Sequence, residues 1–230
     1  MPTNPTIILV HGAWHGSWCW SALEPALRER GITPIAVELT SHGTDPAAVG
    51  DLRSDTELVR RLATEVDGPV VLLGHSYGGV VVTEAADGLD NVSQLIYLGA
   101  FLPEVGDSMR TLTGGGNAPW LQFSDGLLTV VEGWGRKLFY SDCPPDVAAD
   151  AERRLLPQAA VSFQQEVRVA SWRTVPSTYI VCAEDQAISP RAQRQWAAAV
   201  GNGVELPTGH SPFLSRPQQV ADLLHRSMQA

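Results

Sequence analysis

The chain has 230 residues and a formal charge of −9, enough length for one domain with a sizeable core. Its 44% hydrophobic and 18% charged content is that of a globular protein without a disorder signature. The acidity excludes nucleic acid and an anionic membrane as main partners, because both call for a positive field.

The opening stretch MPTNPTIILVHG carries no basic region, and its apolar run is too short for a signal peptide or a membrane span. Cys19, Cys143 and Cys182 are odd in number, far apart and without CxxC or Cys/His ligand spacing. That usage predicts reduced thiols in a cytoplasmic protein, with neither a disulfide framework nor a zinc site.

In chain order, Thr6–Val10 reads as a strand, and residues 21–30 (SALEPALRER) as a helix stopped by Gly31. Residues 34–39 (PIAVEL) form the next strand. Residues 55–66 form an amphipathic helix with Asp55 as its N-cap, broken by Asp67-Gly68-Pro69. Then come a strand over 70–73, a helix over about 77–86 and a strand over 94–100. The alternation stops there. Residues 102–174 hold a triple glycine, a Pro-Pro pair, scattered tryptophans and a short helical pattern at 146–156. Strand character resumes at 177–183, followed by a helix at 190–200, a brief strand at 203–206 and a terminal helix over 216–228. Near-continuous apolar strands separated by helices predict an α/β fold with a mostly parallel sheet covered on both faces. The expected core is 1–101 with 175–230, and 102–174 is an inserted cap.

Gly74-His75-Ser76-Tyr77-Gly78 matches G-x-S-x-G between a predicted strand and a predicted helix, the setting that makes the motif a nucleophile elbow. Glycines on either side let strand and helix backbones approach around a strained serine. Ser76 needs a base from elsewhere in the chain. His210, in the loop after the last strand, is that candidate; His11 and His75 brace turns, His15 and His42 lie in loops, and His225 rides on a helix. The imidazole needs a carboxylate, and Glu184-Asp185 stand at the C-terminal end of the 177–183 strand, where catalytic groups of open parallel sheets gather. Asp185 is preferred over Glu184, because the loop after it has room to turn; Asp107 is a third candidate. The backbone N–H groups of Tyr77 and of Ala13, in the loop after the first strand, are the candidate oxyanion donors.

The stretches VHGAWHGSWCW, LTSHGTD, GHSYGG, YIVCAEDQAISPRAQRQW and GHSPFLSRPQQVADLL together resemble the α/β-hydrolase superfamily, and within it the group of plant methyl-salicylate-type esterases, hydroxynitrile lyases and their bacterial relatives. The resemblance is weakest over 102–140. It implies the α/β-hydrolase fold, Ser76 as nucleophile, Asp185 as acid, His210 as base, and Ala13 with Tyr77 as oxyanion donors. Lyases of this group carry a hydrogen-bonding residue where this chain has Gly12, and one branch carries lysine where it has Ser211. Both departures imply ester hydrolysis.

The expected activity is therefore cleavage of small or medium carboxylic esters through an acyl-enzyme, with no cofactor and no metal. A lyase or carbon–carbon-cleaving enzyme would use the same triad. A non-catalytic ligand receptor on this fold would lose a triad member, and here all three are present. Trp14, Trp120, Phe123 and Trp134 are the candidate substrate-binding residues, with Phe139 and Tyr140 beside them; each of these cap aromatics could equally belong to a core. The expected partner is a small-molecule ester, with homodimerisation left open.

Overall fold

The computed structural model describes residues 5–116 and 118–229; residues 1–4 and 230 of the expected core and position 117 of the expected cap lie outside the described residues. The main sheet contains β1 (Thr6–Val10), β2 (Thr33–Ala36), β3 (Val70–His75), β4 (Val92–Leu98), β8 (Ser177–Cys182) and β9 (Gly203–Leu206), in the order β2-β1-β3-β4-β8-β9. Every neighbouring pair is parallel. Parallel strands require crossovers, and helices supply them on both faces.

The faces sort by strand alternation. Ile8, Val10, Leu72, Leu95 and Tyr97 face α2 (Leu52–Thr64), α3 (Gly78–Ala85) and α8 (Pro190–Val200) in one cluster. Ile7, Leu9, Leu73, Ile96, Leu98 and Ile180 face α1 (Leu23–Arg28) and α10 (Pro217–Ser227) in the other. Full burial of these side chains removes apolar surface worth about 1.5–3 kcal/mol for each large residue.

β4 runs two residues earlier than the expected 94–100, and three other boundaries differ from expectation for identifiable reasons. A 3-10 turn (Ser17–Trp20) precedes α1, which begins two residues late. β2 ends at Ala36 because the chain turns so that Glu38 can accept from the N–H (2.8 Å) and hydroxyl (2.5 Å) of Ser17, while Leu39 N–H donates to His11 Nε2 at 3.2 Å. The start of α2 is corrected by one turn. Its N-cap is Asp51, in a capping box with Ser54, and Asp55 is instead a fully buried residue of the first turn.

Between β4 and β8 lie α4 (Met109–Leu112), the strands β5 (Leu121–Ser124) and β6 (Leu127–Val130), α5 (Trp134–Leu138), α6 (Pro145–Arg153), β7 (Gln158–Ala159) and α7 (Val161–Gln164). β5, β6 and β7 form a second, antiparallel sheet that the sequence pattern does not announce. After β9 the chain passes through α9 (Pro212–Ser215) into α10. No helix among the described residues is long and apolar enough to cross a membrane.

The segment between β4 and β8 is tied down on the main body by polar contacts, of which Glu84 is the buried centre. The Glu84 side chain is 2% exposed, pairs with Arg53 of α2 and Arg168, and accepts from Arg168 N–H at 2.8 Å. Gln165 accepts from Leu52 N–H at 2.9 Å and donates to Asp51 at 2.7 Å. Glu84→Ala should therefore cost about 1–3 kcal/mol, below the figure for a fully buried pair because both arginines reach solvent. Urea unfolding reads the cost directly.

Candidate active site

β3 delivers the chain to Ser76 at the C-terminal edge of the sheet, and α3 leaves two residues later. Ser76 has φ 52°, the left-handed region that a residue with a Cβ seldom occupies. The turn closes only because its neighbours lack side chains: a Cβ on Gly74 would stand 2.5 Å from Gly78 O, and one on Gly78 would run into the carbonyls of Val10 and His11. The Ser76 carbonyl accepts from Gly79 N–H (3.0 Å) and Phe101 N–H (3.2 Å). The N–H on the other side of that same peptide is that of Tyr77, and among the described residues it has no hydrogen-bond acceptor.

The loop after β1 runs alongside. Gly12 packs so tightly that a Cβ would lie 2.8 Å from Ser76 Cβ and 3.0 Å from His75 Nδ1. Ala13 follows, its N–H also without an acceptor among the described residues. Trp14 then adopts φ 61° and is held at both ends: its indole donates to Leu128 O at 3.1 Å and its carbonyl accepts from Leu156 N–H at 2.8 Å.

His210 lies between β9 and α9, 1% exposed, with Nδ1 2.7 Å from Asp185 Oδ2. Asp185 stands three residues beyond β8 and is buried. Its Oδ1 accepts from the N–H groups of Ala187 (2.7 Å) and Ile188 (2.9 Å), and its Oδ2 accepts from Gln193 Nε2 (2.7 Å) as well as from His210. Because that carboxylate accepts from Nδ1–H, the proton stays on Nδ1 and the neutral ring leaves Nε2 as its basic atom. Gln193 also bonds Cys182 N–H and Ile188 O, at 2.9 Å each, so it fixes Asp185 against both β8 and the following loop. The expectation from sequence missed Gln193. Glu184 and Asp107 do not bond His210; Asp107 closes a turn on Glu104 N–H at 2.9 Å.

Ser76 and His210 line one cavity of about 420 Å³, together with Ala13. Its walls are otherwise mostly apolar, with Trp14, Trp120, Phe139, Phe163, Ile188 and Trp196 among them. Of the four expected substrate-binding residues, Trp14 and Trp120 line this cavity, and Phe123 and Trp134 lie outside it. Phe123 is 66% exposed on the edge strand β5 and lines a neighbouring outer cavity of about 550 Å³. Trp134 is half-buried with the Lys137 ammonium over its ring at 5.0 Å. Tyr140 is buried, with its hydroxyl 2.9 Å from His15 Nε2. Phe101, Met109, Leu112 and the pair Ile188 and Trp196 line the cavity without having been singled out. No group of three or more His, Cys, Asp and Glu arranged to hold a metal occurs among the described residues.

Four other imidazoles are buried around the site, and burial holds each of them below its ordinary value of 6.5: His11, His42 and His75, and His15 down to about 3. Each serves as a neutral hydrogen-bonding strut. His75 Nε2 donates to the carbonyl of His210 at 2.9 Å, and His11 Nδ1 to the carbonyl of Gly12 at 2.9 Å. The thiols offer no rival nucleophile, since burial pushes Cys19 and Cys182 well up and Cys143 to about 12.

The sequence pattern of the alpha/beta hydrolase family matches residues 7–223, and the chain belongs to that family. It is 31% identical to a pyrethroid hydrolase of Sphingobium wenxiniae, over 96% of this chain and 87% of that one. It is 29% identical to methylesterase 1 of Arabidopsis thaliana, over 94% of this chain and 92% of the relative. The crystal structure of a pyrethroid hydrolase from Sphingobium faniae superposes with a TM-score of 0.85 at 27% identity, covering 98% of each chain.

Buried neutral histidines make stability depend on pH in a definite direction. An imidazole whose pKa is lower folded than unfolded takes up a proton on unfolding at any pH between the two values, so stability falls as pH drops below about 6.5. Urea denaturation at pH 7.5 and 5.5 should show the lower stability at 5.5. Each of the four rings contributes up to about 1.4 kcal/mol per pH unit within its window.

Proposed function

We propose that the protein is a serine carboxylesterase that cleaves small or medium uncharged esters through an acyl-enzyme. Ser76 Oγ attacks the ester carbonyl while His210 Nε2 takes its proton. Asp185 keeps Nδ1 protonated and stabilises the imidazolium. The N–H groups of Ala13 and Tyr77 receive the oxyanion. His210 then protonates the departing alcohol and activates the water that releases the acid. Residues 102–174 act as a cap that closes the acyl and alcohol sites over a core formed by 1–101 and 175–230. The three free cysteines favour a cytoplasmic setting.

The observation that carries this reading is the 2.7 Å bond from His210 Nδ1 to Asp185, with His210 and Ser76 opening onto one cavity. The similarity to proteins named pyrethroid hydrolase and methylesterase supports the same chemistry. A cyanohydrin-cleaving reading is disfavoured at Gly12. A hydrogen-bonding side chain at that position would begin with a Cβ 2.8 Å from Ser76 Cβ, which leaves no room for one.

The substrate class follows from the walls. Apart from His210, none of the described residues lining the cavity has a side chain that can carry charge. A free carboxylate on the bound acyl group would therefore lose its hydration without compensation. Uncharged aryl and alkyl esters should be turned over at least about tenfold faster in kcat/KM than analogues carrying a carboxylate on the acyl chain.

Steady-state hydrolysis of 4-nitrophenyl and methyl esters, with fluorophosphonate labelling alongside, tests the assignment. Ser76→Ala should abolish both hydrolysis and labelling, and Asp185→Asn should lower kcat by about 10⁴. Labelling that survives Ser76→Ala, or cyanide release from mandelonitrile without ester turnover, would refute it.

A further inference from the structure

We propose that Asp55 is a positioning residue for this reaction: through the Tyr77 hydroxyl, it holds the residue whose backbone N–H receives the oxyanion. The inference rests on the elbow reading above and extends the working site to a buried group outside the cavity.

Asp55 is fully buried. None of the ion pairs among the described residues includes it. Its carboxylate is met by neutral donors instead. Oδ1 accepts from the N–H and hydroxyl of Thr40 (2.7 and 2.8 Å) and from Ser41 N–H (3.0 Å). Oδ2 accepts from the hydroxyls of Ser41 (2.6 Å) and Tyr77 (2.9 Å). A carboxylate without a cation survives burial only when its lone pairs are used in this way, and an apolar residue of similar volume commonly packs as well or better. Helix initiation does not explain it either, since Asp51 and Ser54 already cap α2. What the carboxylate gathers is one loop, Thr40-Ser41, and the residue immediately after Ser76.

Tyr77 is the lever. Its N–H belongs to the peptide that joins it to Ser76, so rotation of that peptide sets where the N–H points. One side of the plane is held by the two donors to the Ser76 carbonyl, Gly79 and Phe101. The other side is held through the tyrosine ring, which stacks on Phe163 (6.1 Å, 2° between planes) and ends on Asp55. Beyond it, Gln158 donates to Ser41 Oγ (3.3 Å) and Ser162 Oγ (3.1 Å), carrying the network to β7 and α7. The buried carboxylate thus ties the oxyanion donor to the same segment that supplies the Phe163 wall of the cavity. A donor of this kind counts only when it is aimed at the developing charge, and a small misalignment far from the reacting atoms is enough to slow the chemical step.

Four variants test this with 4-nitrophenyl acetate: Tyr77→Phe, Asp55→Asn, Asp55→Ala and the double variant of Tyr77→Phe with Asp55→Ala. Tyr77→Phe keeps the donor but cuts its tether, so kcat should fall by about tenfold, less than the loss of a donor itself, with KM within about twofold. Affinity for an alkyl trifluoromethyl ketone, whose serine adduct carries the oxyanion, should fall by the same factor. Asp55→Asn, which can still bond the Tyr77 hydroxyl, should retain more kcat than Asp55→Ala, and the double variant should be no slower than Asp55→Ala alone. Wild-type kcat in Tyr77→Phe, an unchanged ketone affinity, or fully multiplicative losses in the double variant would each overturn the proposal. If Asp55→Ala does not fold, Tyr77→Phe with the ketone decides. Ser76→Ala in the same panel separates the two readings. Activity that survives it refutes the elbow, whereas an inactive Ser76→Ala beside a wild-type Tyr77→Phe refutes only the role of Asp55.

Discussion

A residue with a Cβ at φ 52° sits about 1–3 kcal/mol above its preferred backbone, and Ser76 stays there because everything around it is arranged to leave no alternative. Relaxing the turn would swing its carbonyl away from the Gly79 and Phe101 N–H groups, both of which it accepts from. It would also break the contact among Gly74, Gly78 and the Val10 carbonyl that lets β3, α3 and β1 converge. The same strain lifts the hydroxyl off the sheet edge and leaves the Tyr77 N–H without an acceptor among the described residues. Strain at the elbow and the presentation of Ser76 to the cavity are one geometric fact. The close packing of β1 against β3 is what maintains it.

The parts of the molecule visible in the sequence are those whose physics is local. β1, β3 and β8 are buried on both faces, so they read as apolar runs, and α8 and β9 are bounded by Pro190, Gly201 and Gly203, so their limits are legible to the residue. Position along a parallel strand also carries information. Asp185 and His210 could be singled out because they follow the C-terminal ends of β8 and β9, and they are the two that meet.

What stayed illegible depends on which side chain faces which space. Asp55 looks like a helix-starting aspartate, and nothing nearby in sequence says that Thr40, Ser41 and Tyr77 will converge on it. Gln193 lies on an amphipathic helix as one of several polar residues, and only the packing of α8 against β8 turns it toward Asp185. The aromatics between β4 and β8 were numerous enough to suggest a pocket, but composition cannot distinguish Trp120, which lines it, from Phe123, on an exposed edge strand two residues past the cavity-lining Leu121. The antiparallel sheet β5-β6-β7 is built from strands of four, four and two residues, too short to show a period.

The contacts that shape the cavity and those that orient the Ala13 and Tyr77 N–H groups, the proposed oxyanion donors, are largely the same contacts. Trp14 presents one wall and is pinned by Leu128 O and Leu156 N–H, both from the segment between β4 and β8. It is also the direct neighbour of Ala13, whose N–H is one donor of the proposed pair. His15 bonds the Ala13 carbonyl at 2.7 Å and the Tyr140 hydroxyl at 2.9 Å, adding a second tie between that segment and the same loop. Tyr77 repeats the arrangement on the other side, with its ring against Phe163. A close-packed interior transmits displacement and does not absorb it. On the proposed mechanism, remodelling the walls to admit a different ester would therefore act on both backbone N–H groups at once, coupling substrate range to rate through Trp14 and Tyr77.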